Sequence, residues 1–201
     1  MEHDAARLEG SDLKKFYIAV AVVLLLLVPV VAWFVYQTNH YKGSEFTFSL
    51  DVKRERPLVW FYLTNAGYRQ LWMENLDSLT AIGGVPYSKG EKTLVTLVID
   101  QIPYEYTETV TSIDPPTYIS WDLEAAGFKG TLTYDLKETE DGGTRLNVER
   151  KVRYQTLTSV LLEPFLEKRQ RETLINSLQK MKRLVESAPA SETNNPDFLN
   201  E

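Results

Sequence analysis

GGTRLNVERKVRYQTLTSVLLEPFLEKRQRETLINSLQKMKRLVES, residues 142–187, changes its hydrophobic period once, and that change decides the fold. In its first part Leu146, Val148 and Val152 fall on alternate positions, the period of a strand with one buried face. From Thr158 to Ser187 the period is helical. Leu161, Phe165, Leu174, Leu178, Met181 and Val185 lie near one stripe, with Lys168, Arg169, Arg171, Glu172, Lys180, Lys182 and Arg183 outside it. Pro164 should kink or restart the early part of this helix. Ahead of the strand, Glu140-Asp141-Gly142-Gly143 reads as a hairpin turn of residues that accept positive φ.

Working back from the hairpin, the chain is a meander of strands. Phe128, Leu132, Tyr134 and Leu136 share one face of a strand over 128–138. Tyr118 to Glu124 is another, with Ile119, Trp121 and Leu123 apolar and Asp122 and Glu124 turned to solvent. Asp114-Pro115-Pro116 is a turn, because proline cannot donate to a central ladder. Tyr104 to Ile113, Glu91 to Gln101 and Ser78 to Ile82 complete the run, separated by Gly83-Gly84, Pro86 and Lys89-Gly90. The first strand carries Phe46, Phe48, Leu50 and Val52 on one face. Between it and the meander lie two short helices. One opens at Pro57, whose fixed φ suits a first turn. The other covers Tyr68 to Met73 and carries Trp72.

The fold class expected is α+β: a curved antiparallel sheet of about seven strands, apolar on one face and covered there by the long C-terminal helix. A sheet that wraps a helix without closing on it can leave a pocket between them.

The N-terminal part has a different character. Phe16 to Tyr36, FYIAVAVVLLLLVPVVAWFVY, contains no charged residue. At ~1.5 Å rise per residue it reaches ~31 Å, close to the ~30 Å hydrocarbon core of a bilayer. Tyr17 lies near one end, and Trp33, Phe34 and Tyr36 at the other, where aromatic belts sit. A signal peptide would be shorter in its apolar core and would be followed by small residues at a cleavage site, and Trp33-Phe34-Val35-Tyr36-Gln37 supplies none. The expectation is therefore an uncleaved single-pass anchor. Lys14 and Lys15 abut one end and only Lys42 follows closely behind the other, which favours a cytoplasmic N-terminus and a domain on the non-cytoplasmic side. The domain organisation expected is a polar tail at 1–15, a transmembrane helix at 16–36, a linker at 37–44, one folded domain at 45–187 and a disordered tail at 188–201. An eight-residue linker spans at most ~28 Å, so the domain stays near the membrane.

Composition narrows the chemistry. The chain has 201 residues and a formal net charge of −6, so a nucleic acid is not expected as a partner. There is no cysteine, and the two histidines are His3 and His40, both outside the folded domain. Disulfides, thiolate or Ser-His-Asp catalysis and Cys- or His-ligated zinc are excluded there. No cofactor is implied, and oligomeric state is open.

Several strings in order resemble the START-like helix-grip superfamily, in particular its polyketide cyclase/dehydrase (SRPBCC) branch. They are Arg56-Pro57-Leu58-Val59-Trp60-Phe61-Tyr62-Leu63-Thr64-Asn65, Trp72 at the end of the second helix, and Val110-Thr111-Ser112-Ile113-Asp114-Pro115-Pro116, with Ile113 where an aromatic is common. Gly142-Gly143-Thr144-Arg145-Leu146 and Leu178 to Glu186 follow. The likeness covers about Phe46 to Ser187 and leaves the anchor outside. It implies a helix-grip fold and a scaffold that binds hydrophobic small molecules or lipids. Catalysis occurs in some branches only, so no catalytic residue is carried over.

The candidates for a pocket lining are Trp72, Tyr104, Tyr106, Glu108, Trp121, Tyr134, Arg150 and Phe165. Trp60, Trp72 and Trp121 are first of all core residues. Tyr104, Tyr106, Tyr134 and Tyr154 combine an apolar wall with a hydroxyl that can orient a ligand. Glu108 shares strand phase with Tyr104, Tyr106 and Val110, and Arg150 with Leu146, Val148 and Val152. Charge on such a face is costly unless paired or wet. A pocket would allow it. The plainer reading is that both face solvent, near a strand end or a bulge that reverses the phase. The KRQR run, Lys168 to Arg171, reads as a solvated helix face, with anionic headgroups as its alternative partner. Three functions are compatible: a membrane-anchored domain binding a hydrophobic ligand, a cyclase- or hydrolase-like enzyme using carboxylate or tyrosine chemistry, and a tethered interaction domain.

Overall fold

A computed structural model describes residues 2–40 and 43–189, and the chain divides into two compact units, Met1–Lys42 and Gly43–Glu201. The first unit is one helix, α1 (Glu2–His40), with Pro29 inside it. It extends beyond the apolar stretch at both ends, so residues read as tail and as the start of the linker are helical. Within it Lys14–Trp33 is long and apolar enough to cross a membrane, and none of that window is buried. A core helix would be covered. Most of the C-terminal tail expected to be disordered lies outside the described residues.

The second unit runs β1 (Ser44–Val52), α2 (Arg56–Thr64), α3 (Ala66–Trp72), β2 (Leu76–Gly83), β3 (Lys92–Ile99), β4 (Ile102–Asp114), β5 (Tyr118–Ala125), β6 (Phe128–Glu138), β7 (Thr144–Tyr154) and α4 (Leu157–Ser187). The strands form one seven-stranded sheet in the order β1-β7-β6-β5-β4-β3-β2, every pair antiparallel. From β2 to β7 each strand pairs with its successor. Only β1 crosses over, pairing with β7 after the two helices. α4 lies against β1, β7, α2 and α3.

The helices start where the sequence gives them partners for their free N–H groups. Asn65 caps α3, its side chain accepting from the amides of Gly67 at 3.0 Å and Tyr68 at 3.3 Å. Thr156 caps α4 by accepting from the Ser159 amide. Pro57 occupies the first turn of α2. α4 is continuous through Pro164, so the expected restart does not occur. Its last turn is held by Arg54, whose guanidinium donates to the carbonyls of Val185 and Glu186 at 3.2 and 3.1 Å. The β3–β4 turn places Asp100 and Gln101 at φ 53° and 67°, the paired left-handed residues of a tight hairpin. Gly142, at φ 78°, turns β6 into β7.

The core sits between the sheet and the second half of α4. Leu178, Met181 and Val185 are fully buried, as are Leu136, Leu146, Val148, Val52, Val59 and Leu63. The first half of α4 differs: Leu161, Leu162 and Phe165 are exposed.

Candidate functional site

The inward phase of each central strand is unambiguous. On β7 it is Thr144, Leu146, Val148, Arg150, Val152 and Tyr154, all buried. Register carries this face across the sheet. Phe46, Arg150, Leu132, Trp121 and Val110 form one row, and Thr93, Glu108, Leu123, Gly130 and Val152 the next. Gly130 is required where β6 meets β7, since a Cβ there would stand 2.3 Å from the Lys151 carbonyl oxygen.

Glu108 is 2% exposed and Arg150 8% exposed, both on this inner face. The expectation that they face solvent is therefore corrected. No phase reversal intervenes: the register shift of β4 lies between Val110 and Ser112, beyond Glu108, and the pairings of β7 run without a break.

Glu108 is paired. Arg69, from α3, donates Nη1 to Oε2 at 2.8 Å and Nη2 to Oε1 at 2.9 Å, a bidentate arrangement. The Tyr106 hydroxyl donates to the same Oε1 at 3.3 Å. Burial pulls the Arg69 guanidinium down, but the charge and hydrogen bonds of Glu108 outweigh it and the net is a rise. The Tyr106 phenol is pushed well above its ordinary value by burial and by the Glu108 charge, with Arg69 opposing. Burial also raises Tyr134, which meets Trp121 edge-on at 5.3 Å. Both oxygens of Glu108 are thus engaged, Oε2 by Arg69 and Oε1 by Arg69 and Tyr106, which ties the carboxylate to the fold.

Arg150 is different. Its Nη2 donates to the Gln170 side chain on α4, while its Nη1 is buried and finds no acceptor among the described residues. Burial lowers its affinity for its proton, and Tyr154, Glu167, Tyr106 and Tyr104 oppose that through their charge. Glu167 takes the Ser44 hydroxyl. Beside Arg150, Phe128 is the centre of an aromatic group, with Tyr104 stacked at 6.2 Å, Tyr106 at 6.3 Å and Tyr154 at 6.4 Å. Tyr104 is pushed up to about 12 by burial, then by the Tyr154 charge, with Arg150 opposing.

Tyr104, Tyr106, Glu108, Trp121, Tyr134 and Arg150 are thus brought to one face. Trp72 is not among them. It is 1% exposed and its indole donates to the Tyr62 carbonyl at 2.7 Å, which locks α3 onto α2. Phe165 is 76% exposed on the first half of α4 and joins none of these contacts. Sequence reasoning missed Arg69, because nothing local marks a helix arginine that pairs with a strand 39 residues on. It missed Gln170 by reading its run as a solvated face. Lys168, Arg169 and Arg171 are indeed exposed, Arg169 pairing with Asp100 at 2.9 Å and Arg171 lying over the Phe46 ring. Phe128 was visible as part of the inner phase of β6. Among the described residues no group of His, Cys, Asp and Glu could hold a metal ion.

Comparison with known proteins agrees with this architecture. The profile of a family described as "Polyketide cyclase / dehydrase and lipid transport" matches residues 44–186. No curated protein matches the chain. Among solved structures, a START superfamily protein from Mycobacterium smegmatis superimposes with a TM-score of 0.60 at 15% identity, over 72% of this chain and 98% of that one. A conserved protein from Geobacillus kaustophilus gives 0.60 at 17% identity, over 71% and 95%. The di-domain ARO/CYC StfQ of the steffimycin biosynthetic pathway gives 0.59 at 13% identity, over 71% of this chain and 50% of that one. At such identities the likeness is one of fold. The profile match takes in the whole sheet and nearly all of α4 and leaves α1 outside, and on it the chain belongs to the polyketide cyclase/dehydrase and lipid transport family of START-like helix-grip proteins.

Proposed function

We propose that the second unit binds a hydrophobic small molecule or lipid on the concave face of the sheet, beneath the first half of α4. The observation that carries this is the state of the inward residues Leu97, Tyr106 and Leu132. They lie on the inner face of a covered sheet, yet each remains partly accessible. That accessibility supports a space on this face which a ligand would fill. The family supports the reading, since its description includes lipid transport. Aromatic walls with a few fixed polar groups suit such a site.

The test uses the delipidated full chain. A fluorescent fatty acid or a fluorescent sterol should bind saturably, and Leu132→Trp, which extends into the same space, should abolish uptake while circular dichroism stays unchanged. Absence of saturable binding of either probe to the wild-type chain overturns the reading.

We further infer that α1 anchors the chain in a membrane by a single pass, with the folded unit on the non-cytoplasmic side. Support comes from the length and exposure of Lys14–Trp33 and from Lys14 and Lys15 at its N-terminal end. The chain should stay with membranes through alkaline carbonate washing. In sealed right-side-out vesicles, protease added outside should cleave the folded unit. Protection there would reverse the orientation.

The enzymatic alternative gains little from the arrangement, because the inner carboxylate is held bidentate by Arg69.

A further inference from the structure

We infer that the molecule bound on this face is an amphiphile ending in a carboxylate, and that Arg150 receives the carboxylate through its unengaged Nη1. This rests on the ligand-binding reading above and adds the chemistry of the polar end.

The argument begins with the asymmetry between the two inner arginines. Arg69 meets a carboxylate with both terminal nitrogens, so its charge and donors are satisfied within the fold. Arg150 is about as buried, yet among the described residues its hydrogen-bond partner is the neutral amide of Gln170. Its second terminal nitrogen is left without an acceptor among the described residues. A buried cation so placed costs free energy unless something else supplies an acceptor, and an anionic oxygen is the acceptor that guanidinium binds best. The nearby acid, Glu167, takes the Ser44 hydroxyl from β1 and offsets part of the Arg150 charge, but among the described residues no hydrogen bond joins it to Arg150. The other groups that face Arg150 are phenols: Tyr154 of the same strand, and Tyr104 and Tyr106 of β4. With Phe128 they make an aromatic wall beside the guanidinium, in which the Tyr106 hydroxyl is already committed to Glu108. Beyond Arg150 in the same row lie Leu132 and Trp121, an apolar surface for the rest of the molecule. Glu167 also acts on Arg150 through its charge, which disfavours a ligand carrying more than one negative charge.

The probes are carboxyl-labelled dodecanoate and dodecan-1-ol, with the full chain in phospholipid nanodiscs and empty discs as the blank. Dodecanoate should bind the wild-type chain about ten-fold more tightly than the alcohol, the size expected of one charge-assisted hydrogen bond. Its carboxyl carbon should give a resonance separate from that of the bilayer-dissolved acid, and should keep its ionised shift at a pH where the bilayer pool has protonated. Arg150→Gln should remove the preference, bringing binding of the acid down to that of the alcohol. If that variant fails to fold, the wild-type titration alone decides. Equal binding of acid and alcohol, a bound carboxyl that titrates with the bilayer pool, or a preference that survives Arg150→Gln would each overturn the inference and leave the pocket reading intact. No binding of either probe above the blank overturns both.

Discussion

Two buried arginines on one face do opposite things. Arg69 and Glu108 complete each other, and such a pair is costly to break from one side. Glu108→Gln leaves the guanidinium with a neutral partner in a dry place, and Arg69→Met leaves the carboxylate unpaired. Each should destabilise the folded unit by about 3–5 kcal/mol in thermal or denaturant unfolding. The double change Arg69→Met with Glu108→Leu should recover most of that loss, because neither charge then remains to be desolvated. If the double variant is as unstable as the sum of the single ones, the coupling energy is zero and the two side chains do not stabilise the fold as a pair. Trp72, read first of all as a core residue, is buried, and the sequence does not say what it holds together. Its size and position mark it as interior, but only the hydrogen bond to Tyr62 shows that it joins two helices instead of walling a site.

At the scale of elements, α4 is one helix with two behaviours. From Ser177 onward its stripe is sealed against the sheet and the two short helices, while Leu161, Leu162 and Phe165 stand exposed at the other end. Truncation should report this gradient. Leu178→Ala or Met181→Ala should cost about 2–5 kcal/mol in unfolding free energy, and Phe165→Ala should change it by no more than about 0.5 kcal/mol. A comparable loss at Phe165 would mean that the first half of α4 is packed in solution. The stripe in the sequence has members in both halves, Leu161 and Phe165 as well as Leu174 to Val185, so period alone does not say which of them are covered. Coverage depends on which strands lie beneath, and α4 crosses β1 and β7 at the sheet's edge.

For the molecule as a whole, the interior phenols make stability sensitive to alkali. Tyr106 and Tyr134 are both raised in the folded state by burial, and the unfolded chain would ionise them near their ordinary value of about 10. Between that value and their folded values the folded state holds more protons than the unfolded one, so stability is intact below about pH 10 and falls as pH rises. The slope should approach about 1.4 kcal/mol per pH unit for each phenol. Phenolate absorbance should therefore appear together with loss of tertiary circular dichroism, not ahead of it. Early, reversible ionisation of more than the exposed tyrosines would show that water and hydroxide reach the inner face freely.

The sequence by itself determined the element order, the apolar phase of nearly every strand, the long closing helix and the apolar N-terminal span, because period, turn residues and length are local properties. It also removed cysteine and histidine chemistry from the folded unit. It placed Glu108 and Arg150 in the inner phase but left open whether they were buried, since a single bulge would have reversed either one. The tertiary structure alone decided that the bulge falls past Glu108, that Arg69 reaches across from α3 to pair with it, and that Arg150 keeps a donor unspent beside Gln170. Those facts depend on register and on side chains meeting across distant parts of the chain, and no local pattern records them.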